Sequence, residues 1–201
     1  MRVAIFDRIE ECTEAEVQRM LPLVSEQRRG QALKYKHTFG QYCCLKSWLM
    51  LYEMIQKSGN LDIEFRYNEH GKPFLEQGPF FSISHCKEGI AVAIDDQPIG
   101  IDIEGIRKAD KDLIERVMNE EEIKLIANAN AESARTFTRL WTQKEAIVKA
   151  QGVGIYSFEQ LQHILSGTPE IRNSGNLELQ TIEKENYIYS IAYGKLHCFS
   201  A

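Results

Sequence analysis

Between Phe80 and Glu104 the chain carries three apolar runs of strand length in close succession: Phe80–His85, Ile90–Ile94 and Ile99–Glu104. Only Cys86-Lys87-Glu88-Gly89 and Asp95-Asp96-Gln97-Pro98 separate them. Those connections are too short for the crossover that parallel strands require, so the runs must alternate in direction. An antiparallel meander is the expected outcome.

The flanking sequence shows a different period. Val3–Arg8 reads as a strand, and Thr13-Glu14-Ala15-Glu16 as a capped helix start with acidic residues in its first turn. Helices are expected over about Ser25–Lys36 and Phe39–Gln56. In the second, Leu45, Trp48, Leu49, Tyr52 and Ile55 recur at three- and four-residue spacing and mark one buried face. From Leu61 the period drops to two, with Ile63, Phe65 and Tyr67 alternating against Glu64 and Arg66. After the meander comes a helical region from about Asp110 to Gly152. Its last helix, about Glu132–Gln151, places Phe137, Leu140, Trp141, Ile147 and Val148 on an apolar face, with Gly152 as a C-terminal stop. Strands are expected at Leu177–Ile182, Tyr187–Tyr193 and Leu196–Phe199. Helices with antiparallel strands, in place of a regular βαβ alternation, indicate an α+β fold. The order strand, helices, strands recurs roughly twice, as a duplicated half would produce.

A chain of 201 residues suits one large domain or two small fused halves. No apolar run approaches the roughly 20 residues that span a bilayer, and the apolar start is too short for a signal peptide. A cytoplasmic location and no membrane contact follow. Five cysteines, an odd number without a C-x-x-C pair, fit neither a disulfide framework nor a zinc site. The net charge of −5 argues against a nucleic-acid partner. An anionic ligand would need positive charge gathered locally.

Four segments carry candidate chemistry. In Gly100-Ile101-Asp102-Ile103-Glu104 the strand period turns Asp102 and Glu104 to one face. Two carboxylates so placed repel unless they are solvated or share a hard divalent cation. The plainer alternative is an amphipathic strand with its polar face in water. In Trp141-Thr142-Gln143-Lys144-Glu145-Ala146-Ile147-Val148-Lys149 helical spacing aligns Trp141, Glu145 and Lys149, with Lys144 beside them. Glu145 and Lys149 alone would be an ordinary helix pair, worth about 0.2–0.5 kcal/mol. Phe81-Ser82-Ile83-Ser84-His85 closes a strand with a histidine that either binds phosphate or bonds a nearby carbonyl. Gly71-Lys72-Pro73, the fourth, reads by itself as a turn with an exposed lysine.

In this order and separation, the four segments resemble the signature of the phosphopantetheinyl transferases, of the larger type that activates peptide and polyketide synthases. The resemblance covers about Gly71 to Gly154 strongly and the two ends loosely. It implies transfer of the 4′-phosphopantetheine arm of coenzyme A to a serine of an apo acyl or peptidyl carrier protein, releasing adenosine 3′,5′-bisphosphate. It implies Asp102, Glu104 and Glu145 as magnesium ligands, with Glu145 or a metal-held water taking the serine proton. Lys144 and Lys149 would lie beside the diphosphate, with Lys149 stabilising the leaving phosphate. Lys72, Ser84 and His85 would contact the 3′-phosphate. The arginine that the family carries near the start of the long helix is missing here, where the chain reads Phe39-Gly40-Gln41-Tyr42. Arg28, Lys34 and Lys46 are the candidates to replace it. The implied fold is a pseudo-twofold pair of α+β halves, about 1–100 and 101–201, each with a small antiparallel sheet and helices. The active site would lie at their interface, in a monomer. The carrier surface would include the stretch from Asp110 to Asn130, with Glu120-Glu121-Glu122 capping a helix and facing solvent. Two other readings of the same residues are a metal-dependent phosphoester hydrolase and a non-catalytic coenzyme A-binding module.

Overall fold

Strand β1 (Arg2–Phe6) leads through a short 3-10 turn into helix α1 (Glu14–Met20), whose N-cap Thr13 accepts the Glu16 N–H as the sequence pattern requires. Helix α2 (Glu26–Ala32) is followed by the long α3 (Thr38–Gln56). The helix expected to reach Lys36 therefore ends early, because the chain must turn to enter α3. A hairpin of β2 (Phe65–Tyr67) and β3 (Pro73–Leu75) precedes β4 (Phe80–Cys86), β5 (Gly89–Asp95) and β6 (Ile99–Gly105). Helices α4 (Lys111–Val117), α5 (Glu120–Asn128) and α6 (Ser133–Gln151) follow, then β7 (Leu177–Glu183) and β8 (Tyr187–Gly194). The computed structural model describes residues 1–57, 65–68, 73–152, 161–162, 164–165 and 177–194. The expected strand Leu196–Phe199, the start of the strand expected from Leu61, and Lys72 lie outside the described residues.

The result is α+β, with two three-stranded antiparallel sheets ordered β1-β5-β4 and β6-β8-β7. Each order places the first strand of its set beside the third, and the third beside the second. One expectation fails here. The three apolar runs form no continuous meander, since β4 and β5 pair while β6 pairs with β8. The reason is edge availability: β5 is already hydrogen-bonded on one side to β1 and on the other to β4. The Asp95–Pro98 connection therefore hands the chain to a second sheet.

Alternation along the strands divides the core. Ala91 and Ala93 of β5 meet Ile99, Ile101 and Ile103 of β6 and Tyr187 and Ile191 of β8, forming the layer between the two sheets. On the other face of the first sheet, Val92 and Ile94 pack under α3 with Trp48, Leu51 and Ile55. The outer face of the second sheet carries α6. There the two meet so closely that a Cβ on Gly100 would lie 1.9 Å from the Ala146 carbonyl oxygen. A row of polar contacts sets α6 in place. The Thr142 and Ser190 hydroxyls are 2.9 Å apart, Ser190 is 3.0 Å from Thr181, and the Gln143 amide donates to Thr181. Gly152 ends α6 at φ 75°, a conformation that favours glycine. No helix among the described residues is long and apolar enough to cross a membrane.

Gly100 is thus the position where strand and helix touch through bare backbone. Gly100→Ala should cost about 3 kcal/mol or more of stability, since no side chain can yield to make room. Urea unfolding should show a lower midpoint at unchanged slope; an unaltered midpoint would refute the packing described.

Candidate active site

Alternation in β6 sends Ile101 and Ile103 into the inter-sheet layer and leaves Gly100, Asp102 and Glu104 on the α6 side. Helical spacing on α6 brings Trp141, Glu145 and Lys149 to that strand. The contacts pair off along it. The Trp141 indole donates to Glu104 Oε1 at 3.2 Å, and Lys149 Nζ donates to Asp102 Oδ1 at 2.7 Å.

Strand β4 closes the other side. Its residues Ser82 and Ser84 stand opposite Ala93 and Ala91 of β5. Ser82 Oγ accepts the Ile101 N–H at 3.0 Å, and Ser84 Oγ donates to Asp102 Oδ1 at 2.8 Å. Lys149 Nζ also donates to Ser84 Oγ, at 2.9 Å. The seam between the two sheets is therefore bridged by serine hydroxyls in place of a ladder.

Three carboxylates near one another in a half-buried setting repel. Burial raises the Glu104 pKa, and the Asp102 charge adds to this, while Arg107, the Trp141 N–H and Lys149 pull it back. Burial, then repulsion from Asp102 and Glu104, pushes Glu145 up to about 7 against a partial offset from Lys149. Among the described residues Asp102 Oδ2 is a buried oxygen without a hydrogen-bond partner. Such a set of oxygens under mutual repulsion suits a hard divalent cation, and Asp102, Glu104 and Glu145 are the residues that could hold one. As placed they form no closed cage: among the described residues no three His, Cys, Asp or Glu side chains converge on one ion position. Magnesium retains part of its water shell and needs only a partial protein set.

Beside the seam lies a cleft of about 590 Å³, lined by Lys149, Ser84 and His85 on one side and by Arg28, Lys34 and Trp48 on the other. Arg28 lies over the Trp48 ring at 4.1 Å and donates through Nε and Nη2 to the Cys44 carbonyl, which fixes its guanidinium at the wall. His85 opens to solvent, yet the surrounding protein, then Lys149 and Arg28, hold its pKa below the ordinary histidine value. The cleft collects cations on a chain that is acidic as a whole.

Residues 98–192 match the family profile of the 4′-phosphopantetheinyl transferase superfamily. The chain is 35% identical over 137 residues to 4′-phosphopantetheinyl transferase gsp of Aneurinibacillus migulanus, covering 66% of this chain and 58% of that one. It is 29% identical over 149 residues to Sfp of Bacillus subtilis strain 168, covering 71% and 66%. It is 30% identical over 142 residues to the 4′-phosphopantetheinyl transferase AcpT of Salmonella typhimurium strain LT2, covering 68% and 72%. The chain belongs to the 4′-phosphopantetheinyl transferase superfamily. The matched stretch spans about three fifths of the length of gsp.

Not every residue expected of a superfamily member comes to the seam. Lys144 does not. It is fully buried, ion-paired at 2.8 Å with the equally buried Glu122, and it donates to the Leu161 carbonyl. One residue along a helix turns a side chain by about 100°, so Glu145 at the seam leaves Lys144 facing α5. Glu122 is corrected with it. Glu120 and Glu121 are exposed as expected, whereas Glu122 closes a capping box with Asn119 and neutralises Lys144. Of the three candidates for the missing arginine, Arg28 and Lys34 line the cleft, while Lys46 lies 4.2 Å from the Phe6 ring centroid. Trp141 was legible only as core, yet its N–H holds Glu104; its place four residues before Glu145 was the available signal.

Two outcomes follow. A raised carboxylate binds its proton more tightly in the folded state, so stability should fall as pH rises from the ordinary value near 4.5 to about 7. Glu145→Gln should therefore melt higher than the parent at pH 8, on the order of 1–3 kcal/mol, with the gap closing by pH 5. Equal melting at pH 8 would refute the repulsion at the seam. Separately, Lys144→Met should cost about 3–5 kcal/mol by stranding Glu122, and adding Glu122→Gln should recover most of it in urea unfolding.

Proposed function

We propose that this chain transfers the 4′-phosphopantetheine arm of coenzyme A to a serine of an apo acyl or peptidyl carrier protein, releasing adenosine 3′,5′-bisphosphate. The observation that carries this reading is the joining of two unlike sites at one seam. A carboxylate set on β6 and α6 adjoins a cationic cleft, and Lys149 belongs to both. The relatives bear the name of this activity.

Transfer at phosphorus asks a protein mainly to align nucleophile and leaving group and to stabilise charge. Asp102, Glu104 and Glu145 would hold magnesium, which would supply charge neutralisation at the diphosphate. The chain's own groups do the rest. Arg28, Lys34 and His85 take the 3′-phosphate end in the cleft, with Lys72 expected to join them. Lys149, at the boundary, faces the diphosphate and balances charge on the departing phosphate. The carrier serine oxygen bonds to the phosphorus bearing the pantetheine arm as the bond to the nucleotide phosphate breaks. Glu145, or a water held by the cation, would receive the serine proton. The reading treats residues 1–100 and 101–201 as two similar halves of a monomer. The common strand order of the two sheets supports the similarity of the halves, with β6 (Ile99–Gly105) opening the second.

Incubation with coenzyme A, magnesium and an apo carrier should raise the carrier mass by one phosphopantetheine. Coenzyme A cleaved without a carrier would favour the hydrolase. Binding without product on any of several carriers would favour the non-catalytic module, and either result overturns the proposal.

A further inference from the structure

The serine of the Ser84-His85 pair has its hydroxyl fully committed inside the protein. A serine hydroxyl carries one proton to donate and lone pairs to accept. Ser84 donates that proton to Asp102 Oδ1 at 2.8 Å and accepts from Lys149 Nζ at 2.9 Å. Lys149 in turn donates to the same Asp102 oxygen at 2.7 Å, so the three groups close a triangle. A phosphate oxygen is an acceptor and needs a donor. To serve one, Ser84 would have to withdraw its proton from a buried carboxylate and leave that oxygen with Lys149 alone. Both Ser84 and Asp102 are buried, at 8% and 3% exposure, so water offers little compensation.

The same triangle distributes the two oxygens of Asp102 unequally. Oδ1 takes both donors, and Oδ2 is buried without a hydrogen-bond partner among the described residues. A carboxylate pinned through one oxygen cannot rotate without breaking two charge-assisted hydrogen bonds. Strand β4 carries the pattern further. Ser82, two residues earlier on the same face, is bonded to the Ile101 N–H next to Asp102. Each hydroxyl on this face of β4 is thus spent on holding β6.

We propose that Ser84 is a positioning residue of the carboxylate site and not a phosphate ligand. Its hydroxyl, oriented by Lys149, fixes Asp102 through Oδ1 and leaves Oδ2 as the oxygen with capacity for a divalent cation. The inference rests on the cation reading under Proposed function, and it separates the role of Ser84 from that of His85: both line the cleft, but His85 is the exposed residue of the pair, whereas the Ser84 hydroxyl is committed to Asp102. Outer partners of metal-binding carboxylates typically change affinity by about 10–100-fold when removed.

The test compares two binding constants on the full chain. Manganese or magnesium is titrated by calorimetry, and adenosine 3′,5′-bisphosphate is titrated separately in the presence of a chelator. Ser84→Ala should weaken cation binding about tenfold or more and leave bisphosphate binding within about twofold. Ser84→Cys, close in shape but a weak donor, should behave like Ser84→Ala and guards against a packing effect. Ser84→Thr, which keeps the hydroxyl, should recover most of the cation affinity. Loss of bisphosphate binding with cation affinity intact would overturn the proposal, as would variants indistinguishable from the parent in both titrations. A parent chain that binds neither cation would overturn the cation reading and this inference together.

Discussion

The contact on which the arrangement depends is the serine-bridged seam between β4 and β6. Two edge strands from different sheets lie side by side there without a ladder, and their unpaired backbone would be costly to bury. Ser82 satisfies one amide of β6, and Ser84 with Lys149 satisfies one oxygen of its carboxylate. Small polar side chains let the strands approach while leaving the far face of β6 free for α6. The bare backbone of Gly100 lets that helix settle close enough for Trp141, Glu145 and Lys149 to reach the strand. The seam therefore sets both the register of the sheets and the reach of the helix.

Much of this was legible in the sequence because strand and helix periods are rigid rules. Asp102 and Glu104 share a face because a strand alternates, and Glu145 and Lys149 align because a helix repeats near four. The α+β class, the long α3 and α6, the Thr13 cap and the Gly152 stop follow from the same local rules. What local rules could not supply was partner choice. Whether β6 pairs with β5 depends on whether β1 has already taken that edge, and β1 lies far back in the chain. The fate of Lys144 depended likewise on Glu122, a residue that looked like one more solvated acid in a run of three. Arg28 could not be ranked above Lys46 until α2 was seen packed on α3, with the guanidinium over Trp48.

The electrostatics of the site follow from its construction. Carboxylates drawn together under a helix raise one another's pKa, and Lys149 offsets only part of that repulsion. A second cluster of opposite sign lies across the same lysine, in the cleft of Arg28, Lys34 and His85. Net charge thus says little about what such a chain attracts, because the two signs are sorted within a short distance of each other.

The two clusters also come from different stretches of chain. The carboxylates and Lys149 fall within residues 98–192, the stretch that matches the superfamily profile, whereas Arg28, Lys34 and His85 precede it. Their geometric tolerances differ. A carboxylate set must present particular oxygens, so its residues are tied to one strand and one helix face. A cleft that gathers an anion needs only positive charge within reach, and a long flexible side chain can deliver that from several positions on several helices. Arg28 and Lys34 bring positive charge to the cleft wall without an arginine at the start of α3, so a charge requirement of this kind constrains the early helices less tightly than oxygen placement constrains β6 and α6.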